Sequence, residues 1–286
     1  MPGTLYVVPT PIGNLEDITQ RALRVLGEVD LIACEDTRHT RKLLNHYAIK
    51  TKTISYHEHN ERERAAELCA IIEAGKSVAL VSDAGTPAIS DPGFRLVRSA
   101  IDAGARVVSL PGPSALVTAL AGSGLPTDEF FFGGFLPARS GARRTRLEEL
   151  RSIPATLIFY EAPHRIVATL NDALQILGER EAVVTRELTK VHEEIVRGRL
   201  SELTAHFSAS ESVRGEMVLI IDRTVISSEG GKEKSVASVA ALVSMLEESG
   251  LDHRAALKKA AREMGIPRAE AYRRLLAERG RRENQG

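Results

Sequence analysis

Val81-Ser-Asp-Ala-Gly-Thr-Pro-Ala-Ile-Ser-Asp-Pro-Gly93 is the stretch whose reading decides the fold. The apolar run Ser77-Val-Ala-Leu-Val81 leads into it, and Phe94-Arg-Leu-Val-Arg-Ser-Ala-Ile101, apolar at helical spacing, leads out. A strand therefore enters a long loop of Gly, Pro, Ser and Asp, and the loop enters a helix. Such a loop is too long for a tight βα turn. In open α/β sheets, ligands bind on loops just outside the carboxyl ends of strands. Gly85 and Gly93 permit close backbone approach, Pro87 and Pro92 stiffen the loop, and Asp83 and Asp91 are its acids. Taken alone it reads as a surface loop that caps a helix. Repetition of the pattern at other strand ends turns the reading toward a binding site.

On either side, short apolar runs alternate with helical patterns. Strands are expected at 5–8, 31–34, 51–56, 78–82 and 106–110, and helices at 18–26, 38–46, 61–74, 94–103 and 114–121. That alternation implies a largely parallel sheet covered on both faces. Gly122-Ser-Gly-Leu-Pro-Thr127 has the composition of a hinge. Beyond it lie strand-like runs at 130–132, 156–160, 182–185, 194–196 and 217–221, and helical patterns at 143–151 and 166–177. The stretch 193–198 reads as a hairpin arm, which makes the second sheet mixed. The expected fold class is α/β, with α/β domains at residues 1–123 and 124–224. Residues 223–235 are polar and Gly-rich, hence a linker to a small helical domain at 236–286.

Other strand ends carry polar loops. The first strand ends in Pro9-Thr-Pro-Ile-Gly-Asn14, without Gly-x-Gly-x-x-Gly, so dinucleotide binding has no support. Gly75-Lys76-Ser77 lacks the upstream Gly of a phosphate loop, since Ala70 stands there. In Leu110-Pro-Gly-Pro-Ser-Ala115, Gly112 lets the backbone approach a ligand and Ser114 is expected to cap the next helix. The later loops are Phe159-Tyr-Glu-Ala-Pro-His-Arg165, Arg186-Glu-Leu-Thr-Lys190 and Gly215-Glu-Met-Val218, and Glu35-Asp-Thr-Arg38 adds acids in the first half. For any one of these acids a surface ion pair is the default role. His57-Glu-His59 lacks the further ligands a zinc site needs, and no Gly-x-Ser-x-Gly elbow is present. The residues alone describe a cleft enzyme that holds a small ligand on backbone-rich loops, with the reaction open.

Composition narrows the partners. Basic and acidic residues number 38 each, which argues against bulk non-specific nucleic-acid binding. The charge is polarised, however: residues 251–286 hold ten Lys and Arg against five Asp and Glu, which points that end toward an anionic partner. Helical patterns at 236–248, 253–264 and 270–279, separated by Gly-containing turns, have helix-turn-helix spacing, with a plain three-helix cap as the even alternative. Arg268, Arg273 and Arg274 would open its last helix, where recognition helices place their contacts. Cys34 and Cys69 are isolated, as buried thiols in a reducing compartment would be. With no apolar run near 18 residues and no signal-peptide pattern, the expectation is a cytoplasmic protein without a membrane partner.

In order, seven of these stretches, spanning residues 5–221, resemble the tetrapyrrole methylase superfamily of S-adenosylmethionine-dependent methyltransferases. Pro9 and Pro11 in the first loop resemble its ribosomal branch, whose members methylate a cytidine ribose 2′-hydroxyl in 16S ribosomal RNA. The resemblance implies a cofactor, S-adenosylmethionine, held between two α/β domains, a homodimer, a small-ribosomal-subunit RNA partner and no metal. It implies cofactor contacts from Pro9, Thr10, Pro11 and Ile12, from Asp83, Ala84 and Gly85, and from Ile89, Ser90, Ser114 and Ala115. Tyr160, Leu188 and Met217 would complete the pocket. Glu187, Lys190, Glu161 and Asp36 are the candidate proton acceptors, and the group Arg139, Arg143, Arg144 and Arg146 is either a phosphate grip or a solvated basic face. A porphyrinoid methyltransferase and a non-catalytic RNA-binding module are the alternatives.

Overall fold

The computed structural model describes residues 2–210, 214–225, 239–248, 250–263, 267, 268, 271–273 and 275. The first sheet contains β1 (Thr4–Val7), β2 (Leu31–Cys34), β3 (Thr53–Ser55), β4 (Val78–Val81) and β5 (Arg106–Ser109), all parallel, in the order β3-β2-β4-β1-β5. Every residue of the central strand β4 is buried, as its unbroken apolar run requires of a strand covered on both faces. Helices α1 (Gln20–Glu28) and α2 (Thr37–His46) supply Val25, Leu26, Leu43 and Leu44 to one face. Helices α3 (Glu61–Glu73) and α4 (Phe94–Asp102) supply Leu68, Ile72, Leu96 and Ala100 to the other. Helix α1 starts two residues later than its apolar pattern because Thr19 caps it, accepting the Ala22 N–H at 3.0 Å.

Helix α5 (Ala115–Ser123) leaves the first sheet and packs on the second. That sheet contains β6 (Phe130–Phe135), β7 (Thr156–Glu161), β8 (Arg180–Arg186), β9 (Glu194–Arg199) and β10 (Met217–Val225), in the order β6-β7-β10-β8-β9. Only β6 and β7 are parallel, so the sheet is mixed. Period-two alternation divides its two faces. Leu157, Phe159, Val184 and Leu219 face α6 (Ser140–Leu150), α7 (Ile166–Leu177) and α8 (Leu200–Ser208), whereas Ile158, Val183, Val218 and Ile220 face Ala119 and Leu120 of α5. Helix α8 was not anticipated; it rests on three buried apolar residues, Leu200, Leu203 and Phe207. The Gly122–Thr127 stretch begins as the C-terminal cap of α5, with Gly124 at φ +82° and Arg197 of β9 donating to Ser123 O at 2.9 Å.

The α6 arginines are committed to the fold. Arg143 is 3% exposed and donates to Asp172 Oδ2 at 2.8 Å, while Arg144 meets Asp172 Oδ1 at 2.7 Å. Arg146 pairs with Glu149 and lies over the Phe131 ring. Burial takes Arg143 out of the Arg139, Arg143, Arg144 and Arg146 group, while Arg144 and Arg146 keep surface-exposed side chains. Residues 1–227 form one compact unit and 228–286 another. In the second unit, α9 (Val239–Glu248) and α10 (His253–Glu263) share an apolar core that includes Ala271 and Leu275. Most of the expected linker, most of the expected third helix and Arg274 lie outside the described residues. Among the described residues no helix is long and apolar enough to cross a membrane.

The buried Arg143–Asp172 pair gives a stability test. Asp172→Ala strands a buried guanidinium, and the expected loss is roughly 3–5 kcal/mol in urea unfolding. Desolvation alone would raise the Asp172 pKa, but donors from Arg144, Arg143 and Ser140 outweigh it and hold the carboxyl below its usual value. The stabilisation is thus present above the ordinary carboxylate range. The gap between wild type and variant should shrink as pH falls through the depressed value.

Candidate functional site

The strand order places β1 and β4 side by side, while the chain leaves them toward opposite edges of the sheet. A crevice opens at such a switch point. Here the two loops are joined by a reciprocal pair, Thr10 N–H to Gly85 O at 2.9 Å and Gly85 N–H to Thr10 O at 3.0 Å. Thr10 Oγ1 donates to Ser82 O at 3.0 Å, and Thr86 Oγ1 donates to Pro113 O at 3.1 Å, so the third loop is tied in as well. Gly85 sits at φ +77°, where other residues are strained. Ala88 at φ +68° and Ser90 at φ +61° lie in the same region without being glycine. Such strain costs of order 1–3 kcal/mol per residue and gathers at ligand clamps.

The second half closes on this surface through the loop after β8. Asn14 N–H donates to Thr189 Oγ1 at 3.1 Å, and a Cβ at Gly13 would lie 2.5 Å from Lys190 Cγ. Glu187 and Thr189 adopt φ +51° and +65°. Lys190 Nζ bridges Glu187 at 2.8 Å and Glu216 at 2.9 Å, and Glu187 also accepts the Glu216 N–H at 3.0 Å. The Lys190 and Glu216 donors hold the Glu187 carboxyl below its usual value. Burial pulls the Lys190 ammonium down, but its two carboxylate partners outweigh that and leave it raised.

Between these loops lies a cavity of about 570 Å³. Ile12, Asp83, Ala84, Gly85, Ile89 and Ser90 line it from the first half, with Ser114 and Ala115 at the start of α5. Tyr160, Leu188 and Met217 line it from the second. Pro9, Thr10 and Pro11 do not line it; Thr10 is 2% exposed and holds the loops together from behind. Ser114 stands at the N-cap of α5 but makes no capping side-chain bond, contrary to expectation. The first-turn amides of α5 therefore lack that internal acceptor.

The four candidate proton acceptors separate. Glu187, Lys190 and Glu161 line the cavity, but Glu161 is 2% exposed and already accepts from Ala162 N–H, Thr169 Oγ1 and Arg165. Asp36 lies outside it. It caps α2 and chelates Arg38, whose hydrogen bonds pull its pKa down to about 2, and its own N–H donates to Asp83 Oδ1 at 3.1 Å. Thr86, Asp91, Phe135, Thr185 and Glu216 also line the cavity and were not among the expected contacts. The Thr185 hydroxyl is buried with no hydrogen-bond partner among the described residues. Burial, then the neighbouring Glu35 carboxylate, pushes the Asp91 pKa up to about 6 against the Ser82 hydroxyl. Acids outnumber bases in the wall, which favours a cationic occupant. No metal-ligating group of three or more His, Cys, Asp or Glu occurs among the described residues.

Residues 4–204 match the family model "Tetrapyrrole (Corrin/Porphyrin) Methylases". The chain is 47% identical over 280 residues to the "Ribosomal RNA small subunit methyltransferase I" of Escherichia coli O157:H7, covering 97% of this chain and 96% of that one. It is 56% identical over 219 residues to the protein of the same name from Vibrio cholerae, covering 76% of each. Its fold is also that of the uroporphyrin-III C-methyltransferase from Thermus thermophilus complexed with S-adenyl homocysteine, at a TM-score of 0.55, 22% identity, and coverage of 77% and 97%.

The close approach of Gly215 to Glu187 is testable. Gly215 has φ +92°, and a Cβ there would collide with Glu187 Cγ. Gly215→Ala should lower unfolding free energy by roughly 1–3 kcal/mol. Gly141→Ala, in α6 with open space around it, should instead stabilise by roughly 0.4–1 kcal/mol. Urea midpoints of the two variants check both signs.

Proposed function

The chain belongs to the tetrapyrrole methylase family, and from that premise we propose that it methylates a cytidine ribose 2′-hydroxyl in the 16S RNA of the small ribosomal subunit. The observation that carries the reading is near-full-length identity of 47% to a protein named as a small-subunit ribosomal RNA methyltransferase. The cofactor is S-adenosylmethionine, which supplies, when bound, an electrophilic methyl on a sulfonium. The cavity fits it in three respects. Its volume suits a ligand of that size. Its acid-rich wall suits a cation. The α5 amides at Ser114 and Ala115 and the unpartnered Thr185 hydroxyl offer hydrogen bonds to its polar groups.

The residues divide the work accordingly. Gly85 and Ala84 bring backbone close to the cofactor, Ile12, Leu188 and Met217 enclose its apolar parts, and Asp83, fixed by the Asp36 N–H, accepts a hydroxyl or ammonium. Alignment of two bound substrates accounts for most of the acceleration in such a transfer. The domain limits 1–123, 124–224 and 236–286, and a homodimer, belong to the same reading. So does an RNA contact from the last domain, where Arg254, Lys258 and Arg262 are exposed at four-residue spacing on α10.

Labelled cofactor incubated with the protein and small ribosomal subunits should label RNA; label in an added porphyrinoid, or none, would overturn the reading. Gly85→Val places a β-branched residue at φ +77°, and calorimetry should show cofactor affinity lowered on the order of tenfold or more. Changing Arg254, Lys258 and Arg262 together to Gln in the full chain should weaken RNA binding and flatten its salt dependence, with cofactor affinity unchanged.

A further inference from the structure

A second cavity, of about 490 Å³, adjoins the first. Ser90 and Asp91 line both, so one short piece of backbone forms the partition. Its placement is rigid. Ser90 is held at φ +61°, and Pro92 restricts the conformation of Asp91. On the far side stands Phe94, the first residue of α4, with 72% of its surface exposed. Arg95 is anchored by Glu61 at 2.6 Å, whereas Glu58 makes no hydrogen bond or ion pair among the described residues.

This chemistry matches a nucleoside. An exposed aromatic face stacks a base of any sequence. A free carboxylate such as Glu58 accepts from an exocyclic amine like that of cytosine. The acids on the rim suit the uncharged base and ribose, leaving the phosphates outside. The other cavity carboxylates already accept hydrogen bonds within the fold. Glu187 is tied to Lys190 and Glu216, Glu161 has three donors, and Asp83 accepts from Asp36 N–H.

We infer that the second cavity seats the target nucleoside, with Phe94 stacking on its base and the Asp91 carboxylate taking the ribose 2′-hydroxyl proton at the partition between nucleoside and cofactor. The inference rests on the reading of the chain as an RNA ribose methyltransferase. As the oxygen–methyl bond forms, the methyl–sulfur bond breaks and a neutral thioether leaves. The proton passes to Asp91 and then to water. Asp91 faces Glu35, Asp83 and Tyr160, and the groups around the two cavities are Glu161, Glu187, Lys190, Glu216, Glu58, Glu61 and Arg95. Burial first, and then the neighbouring Glu35 and Asp83 carboxylates, keep its carboxyl basic enough to act near neutrality.

The test uses the full chain, S-adenosylmethionine and small ribosomal subunits. Asp91→Asn should lower kcat roughly 10²- to 10⁴-fold, with calorimetric cofactor affinity retained. Wild-type kcat should rise as pH passes through about 6, and the variant should lack that rise. Because the folded-state pKa is raised, the ionised carboxylate opposes folding above that pH. Asp91→Asn should therefore melt higher at neutral pH while losing activity. Asp91→Glu keeps the carboxylate and should recover part of the rate. Phe94→Ala should weaken RNA binding roughly five- to hundredfold. Wild-type kcat or an intact pH rise in Asp91→Asn, or cofactor affinity lost in step with its rate, would overturn the role of Asp91. Unchanged RNA affinity in Phe94→Ala would overturn the nucleoside seat. A wild-type protein that labels no RNA would overturn the parent reading instead.

Discussion

Two hydrogen bonds between Thr10 and Gly85 hold the site together. They are an antiparallel exchange between loops that leave parallel strands, so no sheet ladder supplies them. Without them the loops after β1 and β4 would each have to satisfy exposed amides separately. With them, Ile12 and Asp83–Gly85 face one cavity, and Gly13 is set where the 188–190 loop can close on it. The left-handed backbone at Gly85 is what permits the exchange, which gives that glycine a structural reason beyond ligand approach.

Strain in the described residues is concentrated around the cavity. Five non-glycine residues have positive φ, and four of them, Ala88, Ser90, Glu187 and Thr189, belong to the two loops that face each other there. The fifth, Ala48, follows α2. Each strained residue opposes folding, so surrounding contacts must over-determine it. The Lys190 bridge between Glu187 and Glu216 does this on one side, and the Thr86–Pro113 bond does it on the other.

The architecture was legible because its signals are local. The apolar runs at 78–81 and 156–160 read as strands, and both strands are found, each covered on both faces. Helix α8 was missed because only Leu200, Leu203 and Phe207 carry its pattern, next to polar residues that also suit a loop. The cavity loops were visible as Gly- and Pro-rich strand ends. The assignment of individual acids was not, since it depends on partners far away in sequence. Glu187 looks like Asp91 until the Glu216 N–H, twenty-nine residues on, is found on one and Glu35 beside the other. Arg143 reads as a surface charge until Asp172, twenty-nine residues on, is seen to bury it.

Helix α5 has a consequence for how the chain acquires its shape during synthesis. Ala119 and Leu120 find their apolar partners on β7, β8 and β10, at Ile158, Val183, Val218 and Ile220, the last of them about one hundred residues later. The first five strands can emerge and pair among themselves, yet the last helix of that half is not fully covered until the final strand of the second sheet arrives. Long-range closure of this kind is slow, and the waiting surface is open to wrong partners. The apolar face of α5 is therefore completed only when residues 217–221 have been made.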